Sequence, residues 1–139
     1  MTNAEKAKAL LRAEGLTCAV CCGDAVYKST DRGVTPLLRW LDDGTDLHGF
    51  SAADKVVGAG AAYLYVLLGV AELYAEVISD AAVKILTRFG VFADFGTCVP
   101  YIQNRAGDGG CPIEQAVADA TDPQDALARI RKRLTELRK

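Results

Sequence analysis

From Gly49 to Val99 the chain alternates between short apolar runs of strand length and longer ones of helical length, and this alternation limits the fold more than any other feature. Gly49 to Ala52 reads as a strand. Asp54 to Leu68 reads as a buried helix, with Asp54 placed to cap its start. Leu73 to Ile78 is apolar apart from Glu76 and reads as a buried strand. Ser79 or Asp80 then caps a helix to about Phe89, and Val91 to Val99 is another strand. Strands separated by helices select an α/β domain with some parallel pairing.

The flanking segments fit the same class. Residues 3 to 14 form an amphipathic helix with Ala7, Leu10, Leu11 and Glu14 at helical spacing, stopped by Gly15. Thr17 to Cys22 and Ala25 to Ser29 read as two strands joined at Gly23-Asp24, a hairpin signal. Thr35 as N-cap and Pro36 at the first helical position open a helix through Trp40 and Leu41, ended by Gly44. Pro112 to Asp119 and Pro123 to Arg138 read as C-terminal helices, the last with Ala128, Ile130, Leu134 and Leu137 as apolar positions. A chain of 139 residues without internal repeats is one domain, 1–139.

Charge and hydropathy remove several function classes. A net charge of -2 lacks the basic excess of a nucleic-acid binder. The most apolar window, Val56 to Val70, is about 15 residues and holds three glycines. A membrane span needs roughly 20 apolar residues. The N-terminal MTNAEKAKALLRAEG carries charges where a signal peptide needs its apolar run, so a cytoplasmic location is expected.

Two long runs carry a resemblance. SAADKVVGAGAAYLYVLLGVAELYAEVIS, followed by VPYIQNRAGDGGCPIEQAV, resembles an uncharacterised bacterial family of small proteins, and DRGVTPLL upstream fits the same family. The resemblance covers most of residues 16 to 121. It implies a cytidine-deaminase-like fold, a mixed sheet with flanking helices, and no settled activity. A zinc deaminase needs a His or Cys with a nearby Glu at one helix start and P-C-x-x-C at the next. The helix starts here are Ala53-Asp54-Lys55 and Ile78-Ser79-Asp80-Ala81-Ala82-Val83, with neither His nor Cys. The single histidine, His48, lies ahead of the strand, so the zinc motif is absent and no metal or cofactor is expected.

Five cysteines, an odd number, do not suit a closed disulfide framework. Cys18 and Cys21 have C-x-x-C spacing, but a structural zinc would need two more ligands from the isolated Cys98, Cys111 and His48. In a strand, Cys18 and Cys22 face one way and Cys21 the other, which suits buried thiols on two faces. Cys98, in a strand, is expected to be shielded as well. Gly58-Ala59-Gly60 is no dinucleotide fingerprint, because Tyr63 stands where the third glycine would be and the pair is read as lying inside the helix. There it would permit close packing.

The stretch NRAGDGGCPIE, Asn104 to Glu114, is the part least like packing. Cys111 at N-cap, Pro112 at N1 and Glu114 at N3 start a helix by themselves. Three readings stand side by side: a loop that only caps the helix, a ligand-binding loop, and a nucleophilic Cys111 activated at a helix N-terminus. As a ligand loop, Gly109 and Gly110 would turn backbone N–H groups toward an anion, with Asn104 and Arg105 adding an amide and a guanidinium fork. By the resemblance, Asp54 and Lys55 would face the same pocket, together with Ser79. The candidates are therefore Cys111 and Asp54 as catalytic residues, and Lys55, Ser79, Asn104, Arg105, Gly109 and Gly110 as ligand-binding residues. The expected function is a small-molecule binder, or a metal-independent enzyme, acting on a nucleotide-like or other anionic metabolite and assembling as a homo-oligomer. The alternative is a non-catalytic, self-associating interaction module.

Overall fold

The structure, a computed structural model, describes residues 1–104 and 106–138. The N-terminal helix α1, Asn3–Ala13, begins with a reciprocal capping box in which Thr2 Oγ1 accepts from the Glu5 N–H and Glu5 Oε1 from the Thr2 N–H. β1, Cys18–Cys22, and β2, Ala25–Ser29, form the expected hairpin, with Gly23 supplying the positive φ that the two-residue turn requires. The helix α2, Thr35–Asp42, starts one residue earlier than its sequence signal. Gly33 and Val34 already turn the chain, so Val34 is the N-cap and Thr35 makes no side-chain cap.

The central elements are β3 (Ser51–Val57), α3 (Ala59–Leu68), β4 (Glu72–Ser79), α4 (Asp80–Arg88) and β5 (Phe92–Val99). The chain ends with α5, Pro112–Ala116, and α6, Pro123–Leu137. The sheet is five-stranded in the order β2-β1-β3-β4-β5. β1 is antiparallel to β2 and to β3, whereas β3, β4 and β5 run parallel. Helices flank this mixed sheet, and among the described residues none is long and apolar enough to cross a membrane.

Asp54 does not cap a helix. It lies within β3, with Cys18 opposite on β1 and Ala75 opposite on β4. The helix begins only after Gly58, whose extended backbone makes the turn. The SAADKVV sequence has no strong strand propensity, but a central strand satisfies its backbone through two neighbours, and that pairing overrides local preference. Gly58-Ala59-Gly60 is consequently a strand-to-helix junction and not a helix interior.

Two cores lie on opposite faces of the sheet. Ala7 and Leu11 of α1 pack on Ala19, Cys21 and Ala53. The larger core joins Leu37 and Trp40 of α2, Leu64 and Tyr65 of α3, Leu86 of α4 and Ile130 of α6 to Ala52, Leu73 and Ile78 of the sheet. The cysteines of β1 divide as their alternation predicts: Cys18 belongs to the larger core, Cys22 packs against it, and Cys21 belongs to the smaller. Cys98 is exposed rather than shielded, because β5 is an edge strand with most of its residues in solvent. In α6 the buried stripe runs through Ala126 and Ile130 with Leu127 and Leu134 beside it, while Ala128 and Leu137 are exposed.

Candidate functional site

Because β3, β4 and β5 are parallel, their carboxyl ends meet on one edge of the domain. Three chain segments leave the sheet there. Gly58 leads into α3, Ser79 caps α4, and Pro100 begins the passage toward α5. Between them lies a cleft of about 630 Å³. Its walls include Ala59 and Tyr63 of α3, Lys84 of α4, Tyr101, Cys111 and Gln115. Ala81, Lys84 and Ile85 share one face of α4 at helical spacing. Tyr63 is held in place by its hydroxyl, which donates to the Ala120 carbonyl at 2.8 Å, and its ring edge meets Phe89. Tyr101 remains 53% exposed and Lys84 stands in solvent at the rim.

Glu114 organises this edge. Its Oε2 accepts from the Ala59 N–H at 2.9 Å and from Ser79 Oγ, and its Oε1 accepts from the Ile102 N–H at 2.8 Å. One carboxylate thus ties the first N–H of α3, the N-cap of α4 and the segment after β5. The two helix N-termini are where a negative charge is best stabilised, and the chain supplies that charge itself. A strand-to-helix junction with glycines would otherwise offer backbone N–H groups to a phosphate. Here Ala59 N is taken, and a Cβ at Gly60 would lie only 2.7 Å from Ile113 Cγ2.

The residues singled out in the sequence are distributed unevenly around the cleft. Cys111 lines it, half-buried, at the N-cap of α5, and its side chain makes no capping hydrogen bond. With α5 only five residues long, the helix behind Cys111 has a small dipole. Gly110 also lines the cleft. Ser79 sits beneath it, fully buried, donating to Glu114 and accepting from the Ala82 N–H at 3.2 Å. Asn104 is committed to its own loop. Its Oδ1 accepts from the Gly107 and Asp108 N–H groups, and its Nδ2 donates to Asp108 Oδ1 at 2.9 Å. The backbone N–H of Asn104 donates to the Gly109 carbonyl, so Gly109 serves the same turn. Arg105 lies outside the described residues.

Asp54 and Lys55 are not part of the cleft lining. Lys55 is exposed on β3. Asp54 is buried under α3, where its Oδ2 accepts from Tyr65 Oη at 2.6 Å and its Oδ1 from the Val56 N–H at 3.2 Å. Cys18 Sγ lies 3.0 Å from the same Tyr65 hydroxyl. Burial pushes the Asp54 carboxyl up to about 7, partly offset by the hydrogen bond from Tyr65. Burial likewise raises the Tyr65 phenol and the Cys18 thiol well above their ordinary values, with the Asp54 charge adding to both. The expected pair of Asp54 and Cys111 is therefore not brought together.

Among the described residues, no three His, Cys, Asp or Glu side chains gather into a metal-holding group. His48 is exposed and its Nδ1 pairs with Asp46. The residues that sequence reasoning missed, Tyr63, Lys84, Tyr101 and Gln115, carry no local signal. They meet only because parallel strands end together.

Comparison with curated proteins returned no match. Among solved structures, the crystal structure of a DUF1893 family protein (TM1506) from Thermotoga maritima superposes with a TM-score of 0.86 at 25% identity, covering 98% of this chain and 91% of that one. The family description that matches residues 6–134 is a domain of unknown function, DUF1893. With that match spanning both cores and the whole cleft, the chain belongs to the DUF1893 family.

Proposed function

We propose that the cleft at the carboxyl ends of β3, β4 and β5 binds a small anionic metabolite, nucleotide-like in combining a flat apolar part with an acidic group. The scaffold in this reading is deaminase-like and works without a metal. One observation carries it: a mostly apolar cavity of about 630 Å³ opens where the parallel strands end, the position at which open α/β sheets hold their ligands. The rings of Tyr63 and Tyr101 suit a flat group, and Lys84 at the rim suits its charge. Arg105 and the glycine loop, close in sequence to Cys111, are assigned to the acidic end of the ligand. Binding is favoured over turnover, because among the described residues Cys111 has no base hydrogen-bonded to its thiol.

A thermal-shift panel of nucleoside monophosphates and aromatic carboxylates tests this. At least one class raises the melting temperature of the wild-type chain, and Lys84→Gln weakens its binding by roughly twofold to fivefold, the size of one exposed charge contact. Tyr101→Ala weakens it further. If no member of the panel stabilises the protein, or if both variants bind as the wild type does, the cleft is not the site. The rival reading, a self-associating module, draws on the exposed β5 edge with Phe92 and Phe95. Sedimentation showing a stable oligomer with no ligand response favours it.

A further inference from the structure

Asp54 is a carboxylic acid in the middle of a five-stranded sheet, 7% exposed and beneath a helix that is buried on nearly every side. The groups that face it carry no positive charge. From β1 comes the Cys18 thiol, from α3 the Tyr65 hydroxyl, from β4 the apolar Ala75, and from β3 itself the Val56 N–H. Lys55, its neighbour in sequence, is exposed. Lys8 and Arg12 of α1 lie over the Tyr74 ring, which packs against the other core. Among the described residues, no Lys, Arg or His forms an ion pair with Asp54. An isolated buried charge is among the costliest things a core can hold.

We propose that Asp54 is a protonation switch for the seating of α3 on the sheet, neutral while the helix is docked and ionised when it loosens. The hydrogen-bond chain permits both forms. When Asp54 is neutral, its O–H donates to Tyr65 Oη and the phenol donates to Cys18 Sγ. When it is ionised, the phenol donates to Asp54 and the thiol to the phenol, so every group keeps a partner and only the uncompensated charge is new. The helix that would respond also carries Ala59 and Tyr63 into the cleft wall. The switch therefore acts on that wall, whether or not a metabolite occupies it.

The test uses the intact chain labelled with ¹³C at its aspartate carboxyl carbons, titrated by NMR, with Asp54→Asn identifying the Asp54 signal. The expected midpoint is near pH 7. Over the same interval, hydrogen exchange of the α3 amides accelerates beyond the intrinsic effect of pH, and in Asp54→Asn this extra acceleration is lost. Tyr65→Phe removes a hydrogen bond that favours the ionised form and moves the midpoint upward. It also provides a second folded variant if Asp54→Asn does not fold. An Asp54 midpoint in the range of a free aspartate, about 4, overturns the switch. So does α3 exchange that follows the same pH profile with and without the carboxyl.

Discussion

Glu114 stands 55 residues from Ala59 and 35 from Ser79 along the chain, yet it hydrogen-bonds both. At N3 of a short helix it reads as a charge favouring its own α5, whereas its carboxylate in fact accepts from the first N–H of α3 and from the Ser79 hydroxyl that caps α4. Glu114→Gln keeps the shape but faces an amide N–H₂ toward donors on at least one side. The expected loss is about 1–3 kcal/mol in urea unfolding, the usual cost of leaving buried donors unpaired. Glu114→Ala, which abandons all three donors, is expected to lose more. A second residue-scale expectation concerns the thiols. Cys98 is exposed, but its Sγ donates to Asp80 Oδ1 at 3.1 Å, and the carboxylate raises its pKa. Iodoacetamide near pH 7 should therefore label Cys111 before Cys98 and leave Cys18 and Cys21 untouched. Asp80→Asn should speed the labelling of Cys98, read by peptide mass. Equal rates in the two chains would show that the carboxylate does not restrain the thiol.

At the scale of elements, two glycines set how closely the layers approach. A Cβ on Gly60 would meet Ile113 Cγ2 at 2.7 Å and Ile130 Cδ1 at 3.4 Å, so this position admits α5 and α6 onto α3. Gly60→Ala is expected to cost about 1–3 kcal/mol by overpacking. Ile113→Ala in the same chain should recover part of that loss, and a double-mutant cycle measures the coupling. Additive effects would place Ile113 elsewhere in solution. Gly96 answers to backbone instead: its Cβ would lie 2.9 Å from the Glu76 carbonyl oxygen. The register holds on both sides of that level: Ala75 and Val77 face Asp54 and Val56 on β3, and Phe95 and Thr97 on β5.

For the whole molecule, the titration of Asp54 has a definite sign. Its folded pKa, about 7, lies above the unfolded value of 3.8. Between those pH values the folded state holds a proton that the unfolded state has released, so stability falls as pH rises through the window. The loss is on the order of 4 kcal/mol across it. Melting temperatures from pH 5 to pH 8 should decline in the wild type by more than in Asp54→Asn, and parallel profiles would remove the assignment.

Much of this molecule is legible before folding. The capping signal at Ser79, the turn at Gly23-Asp24 and the split of Cys18 and Cys21 between two faces all rest on interactions within a few residues. Short-range chemistry is written in short-range sequence, so the α/β class and most element positions follow from it. The junction between β3 and α3 does not. SAADKVVGAG has the small residues of a helix and becomes a strand through residue 57, because β1 and β4 hydrogen-bond it on both sides. That one shift moves Asp54 from a helix start at the cleft to the interior beneath α3, and Gly58 from a helix interior to its cap. The cleft was equally out of reach of local reasoning. Ala59, Ser79, Tyr101 and Glu114 meet only because three parallel strands end at one edge, and the long-range pairing that aligns those ends is a property of the folded sheet.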